Sequence, residues 1–178
     1  GRVPNWPNPD IWAARSHNGP ITRTVADAAL LLGVMAGPDP HDPTSIDSPP
    51  EDYLTAVARP LEALRGLRVA WSVDLGYAPV DPEVRRLTAA AAERFQSFGC
   101  EVEAVNPDWD NPREPASVMW YVSFAARLGE RYDQRPEWFE PSLAEMIEAG
   151  RRISAVQHGQ AQLARTVFYE QARRFFER

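Results

Sequence analysis

A strand, a long helix and a second strand follow one another in the middle of the chain, and this order restricts the fold more than any other feature. The strands are predicted at 67–71 and 101–105, and the helix at 82–98, after the capping residue Asp81. Two strands joined by a crossover helix pair in parallel with a right-handed connection. The sequence therefore predicts an α/β fold with a βαβ unit. The polar–apolar alternation of 101–105 indicates a strand with one solvated face or a strand at a sheet edge.

Helical periodicity predicts four further helices, at about 24–36, 115–132, 142–149 and 153–177. Thr24 is the expected N-cap of the first helix, and Asp27 completes a reciprocal capping pair with it. The apolar residues of this helix extend round much of its circumference, so we expect it to be buried on most sides. A short helix is expected to begin at Ser48, and Ser142 with Glu145 to form a capping box.

Length and charge limit the class of protein. The 178 residues suit one domain, here a partial one, with a proline-rich loop and helix (1–60), the βαβ unit (61–110) and a helical region (111–178). The net charge of −6 argues against a nucleic acid or an anionic membrane as partner. A single cysteine, Cys100, cannot form an internal disulfide, which favours a reducing, cytoplasmic compartment. The start at Gly1, without methionine, is typical of a piece of a longer protein.

The chain contains no lysine, so all 19 basic residues are arginine. This excludes, within these 178 residues, any mechanism that needs a lysine base, a Schiff-base lysine or a P-loop lysine. A compositional bias of the source genome is the simpler cause of the ratio, and it leaves the chemical consequence unchanged.

An aspartate-rich loop could offer oxygen ligands to a hard cation. It contains Asp39, His41, Asp42 and Asp47, but it lacks the ligand spacing and the central glycine of a calcium loop. Aspartates that cap and form turns are the favoured interpretation, and no metal site is predicted.

A nucleophile with a partner histidine is not indicated either. His17 follows Ser16 directly, His158 is distant in sequence, and there is no Gly-x-Ser-x-Gly motif. Cys100 lies at a helix-to-strand junction, where a cysteine is usually buried and inert.

The last 14 residues alternate arginines with aromatic residues, a pattern that can bind single-stranded nucleic acid. A buried apolar stripe with the arginines on the wet face is the simpler interpretation, and the acidic net charge favours it.

Several motifs together resemble the amidase signature family. They are Gly1-Arg2-Val3-Pro4, the run from Gly19-Pro20 to Leu31, the run from Ala36 to Ser45 (Ala-Gly-Pro-Asp-Pro-His-Asp-Pro-Thr-Ser), and shorter matches at 52–54, 64–70 and 99–102. Within the second run, Gly19 and Pro20 form a turn that leads into a capped helix, and Arg23 and Asp27 are close enough in sequence for a local ion pair. The resemblance covers roughly the first 110 residues well and the helical end loosely.

The resemblance implies an α/β/α sandwich around a mixed sheet and an enzyme that hydrolyses a carboxylic amide to a carboxylate and ammonia or an amine. The family uses a serine nucleophile, a second serine on a cis peptide and a lysine base, and it implies no metal and no other cofactor. These three residues precede the Gly-Arg-Val-Pro segment in the family. We therefore assign no catalytic residue to this chain and expect it to be inactive alone.

The resemblance leaves this chain a role in the substrate pocket. Trp6, Trp12 and His17 follow the family's catalytic core in order, so they are the candidate substrate-binding residues. The groups 119–121 and 138–139 are candidates for an apolar lid, with core packing the stronger interpretation.

Two other functions stay open, a non-catalytic binding or scaffold module and one component of an amidotransferase. For the amidase, the expected partner is a small-molecule amide. If helix 24–36 and strand 67–71 normally pack on a sheet outside this chain, they expose apolar surface and a strand edge, which predicts self-association or marginal stability.

Overall fold

The computed structural model describes residues 1–8 and 16–177, so Trp12 lies outside the described residues. Contacts within the chain divide it into two compact units, Gly1–Arg65 and Gly66–Arg178. The single partial domain expected from the sequence stays a prediction.

Among the described residues of the first unit there are two helices and one 3-10 turn, namely α1 (Val25–Met35), α2 (Tyr53–Val57) and the turn Leu61–Leu64. α1 begins where the sequence predicts, because Thr24 Oγ1 accepts a hydrogen bond from Asp27 N at 3.1 Å. α2 packs against α1. Asp52 caps α2, and its Oδ1 accepts a hydrogen bond from Thr55 N at 3.0 Å.

The first two residues of the chain lie against the loop that follows α1. Gly37 N donates a hydrogen bond to Arg2 O at 3.1 Å, and Ile46 N donates to Gly1 O at 3.0 Å. The Nη1 of Arg2 donates to Ser48 O at 3.2 Å. The predicted helix start at Ser48 is therefore wrong, because Ser48 holds the N-terminal segment and α2 begins later.

The expectation that α1 is buried on most sides is also wrong. Only Ala29 of this helix is buried, whereas Val25 is 71% exposed and Val34 is 78% exposed. An apolar helix favours burial, but its sequence cannot show whether another element of the chain packs over it. Within the first unit, α1 packs against the short α2, which is too small to cover the rest of its surface.

The second unit begins with the predicted βαβ unit, β1 (Arg68–Trp71), α3 (Pro82–Ser97) and β2 (Glu101–Ala104). β1 and β2 pair in parallel with Val69 opposite Val102, which confirms the α/β class. Asp81 Oδ1 caps α3 by accepting a hydrogen bond from Glu83 N at 2.8 Å. Gly99 has φ +85°, a left-handed conformation that ends the helix and that glycine adopts without steric cost.

Three further α-helices follow in the described part of the second unit, α4 (Arg113–Gln134), α5 (Pro141–Arg151) and α6 (Ala155–Phe176), with a 3-10 turn at Pro136–Trp138 between the first two. α4 packs against both α5 and α6, and Ile147 of α5 is completely buried. α4 and α5 approach closely at Gly150, where a Cβ atom would lie 2.0 Å from Tyr121 O. None of the helices in the described part of the chain is both long enough and apolar enough to cross a bilayer.

The capping box predicted at Ser142 and Glu145 is wrong. α5 begins at Pro141, so Ser142 lies inside its first turn, and the residue before Pro141 makes no side-chain capping bond. Proline is preorganised for the first helical position, and this sets the helix start two residues earlier than the box would. The capping box is found at α6, where Ser154 Oγ accepts from Gln157 N and Gln157 Oε1 accepts from Ser154 N.

Candidate functional site

The ring of Trp6 stacks on the ring of His41, and these two residues are called the aromatic stack below. The ring centroids are 5.1 Å apart and the planes differ by 21°. Trp6 is 52% exposed, and the side chain of His41 is 62% exposed. Both rings of the stack therefore keep part of their surface open to solvent.

Asp39 holds the histidine of the stack. Asp39 Oδ1 accepts a hydrogen bond from His41 N at 2.8 Å and lies 2.9 Å from His41 Nδ1. A carboxylate oxygen can only accept, so this contact places a proton on Nδ1. The same bonds hold the pKa of Asp39 below its usual value, with the backbone bond from His41 as the main cause. Asp39 N in turn donates to Ser45 Oγ at 3.0 Å, which ties this turn to the end of the loop.

Asp42 holds the segment that carries the tryptophan. Asp42 is only 3% exposed, and its Oδ2 accepts a hydrogen bond from Asn5 N at 2.8 Å. Its Oδ1 accepts from Thr44 N at 2.8 Å and from Thr44 Oγ1 at 2.7 Å. The backbone bond from Asn5 is the main cause of a lowered pKa for Asp42. The buried carboxylate therefore links the loop to the residue directly before Trp6.

Asn5 also links the segment that contains His17 to the segment that carries Trp6. Asn5 Oδ1 accepts hydrogen bonds from Asn8 Nδ2 at 3.4 Å and from Asn18 Nδ2 at 3.3 Å. His17 itself is exposed. Asn5 Nδ2 is buried and has no hydrogen-bond partner among the residues that the structure describes.

The aspartate-rich loop thus uses two of its carboxylates to form turns. Asp39 and Asp42 each accept from the backbone N–H two residues later, at His41 and Thr44. No group of three or more histidine, cysteine or acidic side chains within 1–8 and 16–177 could hold a metal ion. Sequence reasoning did not assign His41 to the Trp6 surface. The repeated Asp-x-His and Asp-x-Thr spacing predicts the turns, but the partner of the histidine ring is 35 residues away in sequence.

The segment at residues 19–24, which precedes α1, has a structural role. Thr22 Oγ1 donates to Thr24 O at 2.7 Å, and Thr24 also caps α1. Arg23 and Asp27 are both exposed, and they do not pair with each other among the ion pairs of the described residues. Gly19 begins this segment, in open space.

The lid candidates separate into buried and exposed residues. Met119 is 4% exposed, which confirms core packing for it. The ring of Trp120 packs edge-on against Phe124 with the centroids 5.3 Å apart. Trp138 is 67% exposed, and the guanidinium of Arg135 lies 5.5 Å from the centroid of its ring.

The arginine–aromatic tail packs within the second unit. The ring of Trp109 meets the rings of Phe168 and Phe175 edge-on, at centroid distances of 5.9 and 5.5 Å. Glu170 pairs with Arg173, and this hydrogen bond is the main cause that lowers the pKa of Glu170 to about 2. At these positions the rings and charges of the tail therefore have structural partners.

A cleft of about 530 Å³ lies against the sheet of the second unit. Both strands line it, together with Phe175 and Phe176. The charged lining residues are Arg68, Glu101 and Glu103, and the cleft contains no histidine, cysteine or serine from the described residues that could act as base or nucleophile. We assign no chemistry to this cleft.

A parallel βαβ unit followed by three helices defines an α/β protein. In such proteins, binding residues often lie on loops that a rigid scaffold positions. The chain belongs to the amidase family, because a profile of that family, described as Amidase, matches residues 1–176.

Individual relatives agree with this assignment. The chain is 38% identical over 164 residues to an acylamidase of Rhodococcus erythropolis, covering 90% of this chain and 32% of that protein. It is 33% identical over 171 residues to an amidase of Pseudomonas putida, covering 91% and 34%. It is also 36% identical over 154 residues to a glutamyl-tRNA(Gln) amidotransferase component of Synechococcus sp. (strain RCC307), covering 84% and 30%. The chain thus spans about a third of the length of the curated relatives that it matches.

A solved structure supports the fold. The crystal structure of a bacterial aryl acylamidase of the amidase signature family matches with a TM-score of 0.82 and 28% identity. The match covers 100% of this chain and 38% of that one. These matches confirm the resemblance to the amidase signature family.

Proposed function

We propose that this chain is part of an amidase that hydrolyses a carboxylic amide to a carboxylate and ammonia or an amine. The observation that carries the proposal is the family match over residues 1–176, supported by the TM-score of 0.82 with an aryl acylamidase. The chain has no lysine to act as the family's base. We therefore infer that the lysine and both serines lie outside these 178 residues and that the chain alone is inactive.

The part that this chain plays is one wall of the substrate pocket. Trp6, Trp12 and His17 remain the proposed contacts. The exposure of Trp6 and the hydrogen bond from Asn18 Nδ2 to Asn5 Oδ1, which ties the segment after His17 to the segment before Trp6, support this role.

Two measurements test the proposal. The coding sequence before Gly1 should contain a lysine and then two serines in a glycine- and serine-rich stretch. The complete protein should release aniline from acetanilide, and the 178-residue chain should not. Hydrolysis by the chain alone, or a start codon close to Gly1 with no such stretch before it, would contradict the proposal, and the second result would favour a non-catalytic binding or scaffold module.

A component of an amidotransferase is the second candidate, and the 36% identity to the glutamyl-tRNA(Gln) amidotransferase protein favours it. The two candidates differ in the source of the ammonia and in whether a partner protein is needed to form it. A plain amidase should release it from simple amides without a partner protein, whereas an amidotransferase component should need glutamine and its partner chains.

We also propose that the chain is cytoplasmic and that it self-associates when it is isolated. The single cysteine supports the first proposal. The exposed apolar residues of α1, including Val25 and Val34, support the second. Sedimentation of the isolated chain as a monomer at all concentrations would contradict self-association.

A further inference from the structure

We propose that the aromatic stack of Trp6 and His41 binds a planar aryl group, and that this group is the aromatic part of the amide substrate. The second statement rests on the proposed function, because it requires an amide substrate. The first statement, that this surface prefers an aromatic ring, does not depend on catalysis.

The exposure of the stack is the first argument. Tryptophan contributes one of the largest apolar surfaces of any side chain, and Trp6 keeps 52% of its surface in solvent. A single exposed apolar residue needs no explanation. Here a second ring is stacked nearly parallel on the first and both rings stay partly exposed, so a further aromatic ring can extend the stack.

The backbone beneath both rings is fixed, which is the second argument. The residue before Trp6 donates its N–H to the buried Asp42, and His41 donates its own N–H to Asp39, both at 2.8 Å. Rings on an anchored backbone lose little conformational freedom when a ligand binds, so less of the binding free energy is lost to ordering. An exposed surface with such firm support is typical of a preorganised binding site.

The chemistry of the histidine is the third argument, and it indicates the kind of aryl group. Because the contact with Asp39 places a proton on Nδ1, the Nε2 atom of a neutral His41 ring is a hydrogen-bond acceptor at the edge of the stack. An anilide combines an aromatic ring with an adjacent N–H donor. It therefore matches both a stacking surface and an acceptor nitrogen, and the geometry points to N-aryl amides as the substrate class.

The test compares two neutral probes that contain no amide to cleave, benzyl alcohol and cyclohexylmethanol. Both are titrated into the purified complete protein while the indole N–H signal of Trp6 and the imidazole signals of His41 are followed by NMR. We expect benzyl alcohol to shift these signals in a saturable manner and cyclohexylmethanol to bind more weakly by about fivefold or more, since only the aromatic probe can stack. Equal binding of the two probes, or no shift at Trp6, would overturn the proposal.

Substitutions at Trp6 test whether the probes bind at the aromatic stack. Measured at the His41 imidazole signals, Trp6→Leu should weaken benzyl alcohol binding by about fivefold or more and remove the preference over cyclohexylmethanol, whereas Trp6→Phe should keep most of the preference. Tyr169→Leu is the matched control, because Tyr169 is an aromatic residue that is 66% exposed in the second unit. An equal effect of the Tyr169 and Trp6 substitutions would overturn the proposal. If Trp6→Leu does not fold, the shifts at Trp6 and His41 in the unaltered protein and the shifts at His41 in Trp6→Phe decide.

Acetanilide hydrolysis by the same protein separates this inference from the proposed function. A protein that binds benzyl alcohol at Trp6 but hydrolyses no amide contradicts the proposed function and the assignment of the aryl group to an amide, and keeps the aryl-binding surface. A protein that hydrolyses acetanilide with an unchanged KM after Trp6→Leu supports the proposed function and overturns this inference. A Trp6 signal that is protected from solvent and insensitive to both probes also overturns it, because another segment then covers the stack.

Discussion

Gly150→Ala should destabilise the packing of α5 against α4 in the second unit, because α4 occupies the space that the added methyl group needs. A Cβ atom on Gly150 would lie 2.0 Å from Tyr121 O, 2.5 Å from the carbonyl carbon of Tyr121 and 2.9 Å from Ala125 Cβ. Non-bonded carbon atoms are normally separated by about 3.5–4.0 Å. Two of the three obstacles are backbone atoms of α4, so a change of rotamer cannot relieve the contact and the two helices have to move apart.

The expected cost follows from two opposing contributions. Overpacking of a well-packed site costs about 1–3 kcal/mol, and a backbone obstacle places Gly150 at the upper end of this range. Alanine improves helix propensity over glycine by about 1 kcal/mol. The net loss in the free energy of unfolding is therefore about 2 kcal/mol, which lowers the Tm of a protein of this size by about 4–8 °C.

The assay is thermal unfolding followed by far-ultraviolet circular dichroism. The matched control is Gly159→Ala in α6, because a Cβ atom on Gly159 would meet nothing within 4 Å. This substitution should keep the full propensity gain and raise stability by up to about 1 kcal/mol. If Gly150→Ala is as stable as Gly159→Ala, the close approach of α4 and α5 is wrong.

Three further substitutions test other parts of the structure. Ser154→Ala should lower the free energy of unfolding by about 1 kcal/mol through loss of the α6 capping box, measured by urea unfolding, and an unchanged midpoint would contradict the capping role. Because the pKa of Asp42 is lower in the folded state, its ionised form stabilises the fold above the ordinary aspartate pKa, and this contribution is lost as the pH falls through the folded pKa. Asp42→Asn should therefore lower the Tm at neutral pH and reduce the loss of Tm on acidification, whereas the same change at the exposed Asp47 should do neither; equal melting curves for the two variants would refute the anchoring role. Val34→Glu should reduce self-association of the isolated chain in sedimentation velocity, because Val34 is 78% exposed on the apolar α1, and an unchanged distribution would show that α1 is not the contact.

Much of the fold could be predicted from local sequence. The two strands and the helix of the βαβ unit, the Thr24 and Asp81 caps and the end of α3 near Gly99 each depend on residues close together in the chain, and the structure confirms them. The parallel pairing of the strands is predicted by the general rule for crossover connections, and it is confirmed too. The predictions at Ser48 and Ser142 failed because another residue in contact with the motif, or next to it in sequence, determines the local structure. At Ser48 the competitor is Arg2, 46 residues away, and at Ser142 it is the adjacent Pro141.

The candidate site could be predicted only in part. The order of residues in the family pattern selected Trp6, because it follows the Gly-Arg-Val-Pro segment. The sequence assigns His41 and Asp42 to a turn-forming loop, and the structure confirms this assignment. Their second role, stacking on Trp6 and anchoring Asn5, joins residues about 35 positions apart, and no local spacing reports such a contact.

The sequence alone determined the family, the α/β class and the absence of a lysine base, because these depend on residue types and on short-range order. The tertiary structure decided which residues meet. It places His41 on Trp6, seats Gly150 against the backbone of Tyr121 and leaves α1 exposed. The physical reason is that hydrogen bonds within a turn and helix periodicity act over a few residues, whereas ring stacking, close backbone approach and burial depend on what the rest of the chain brings to the same place.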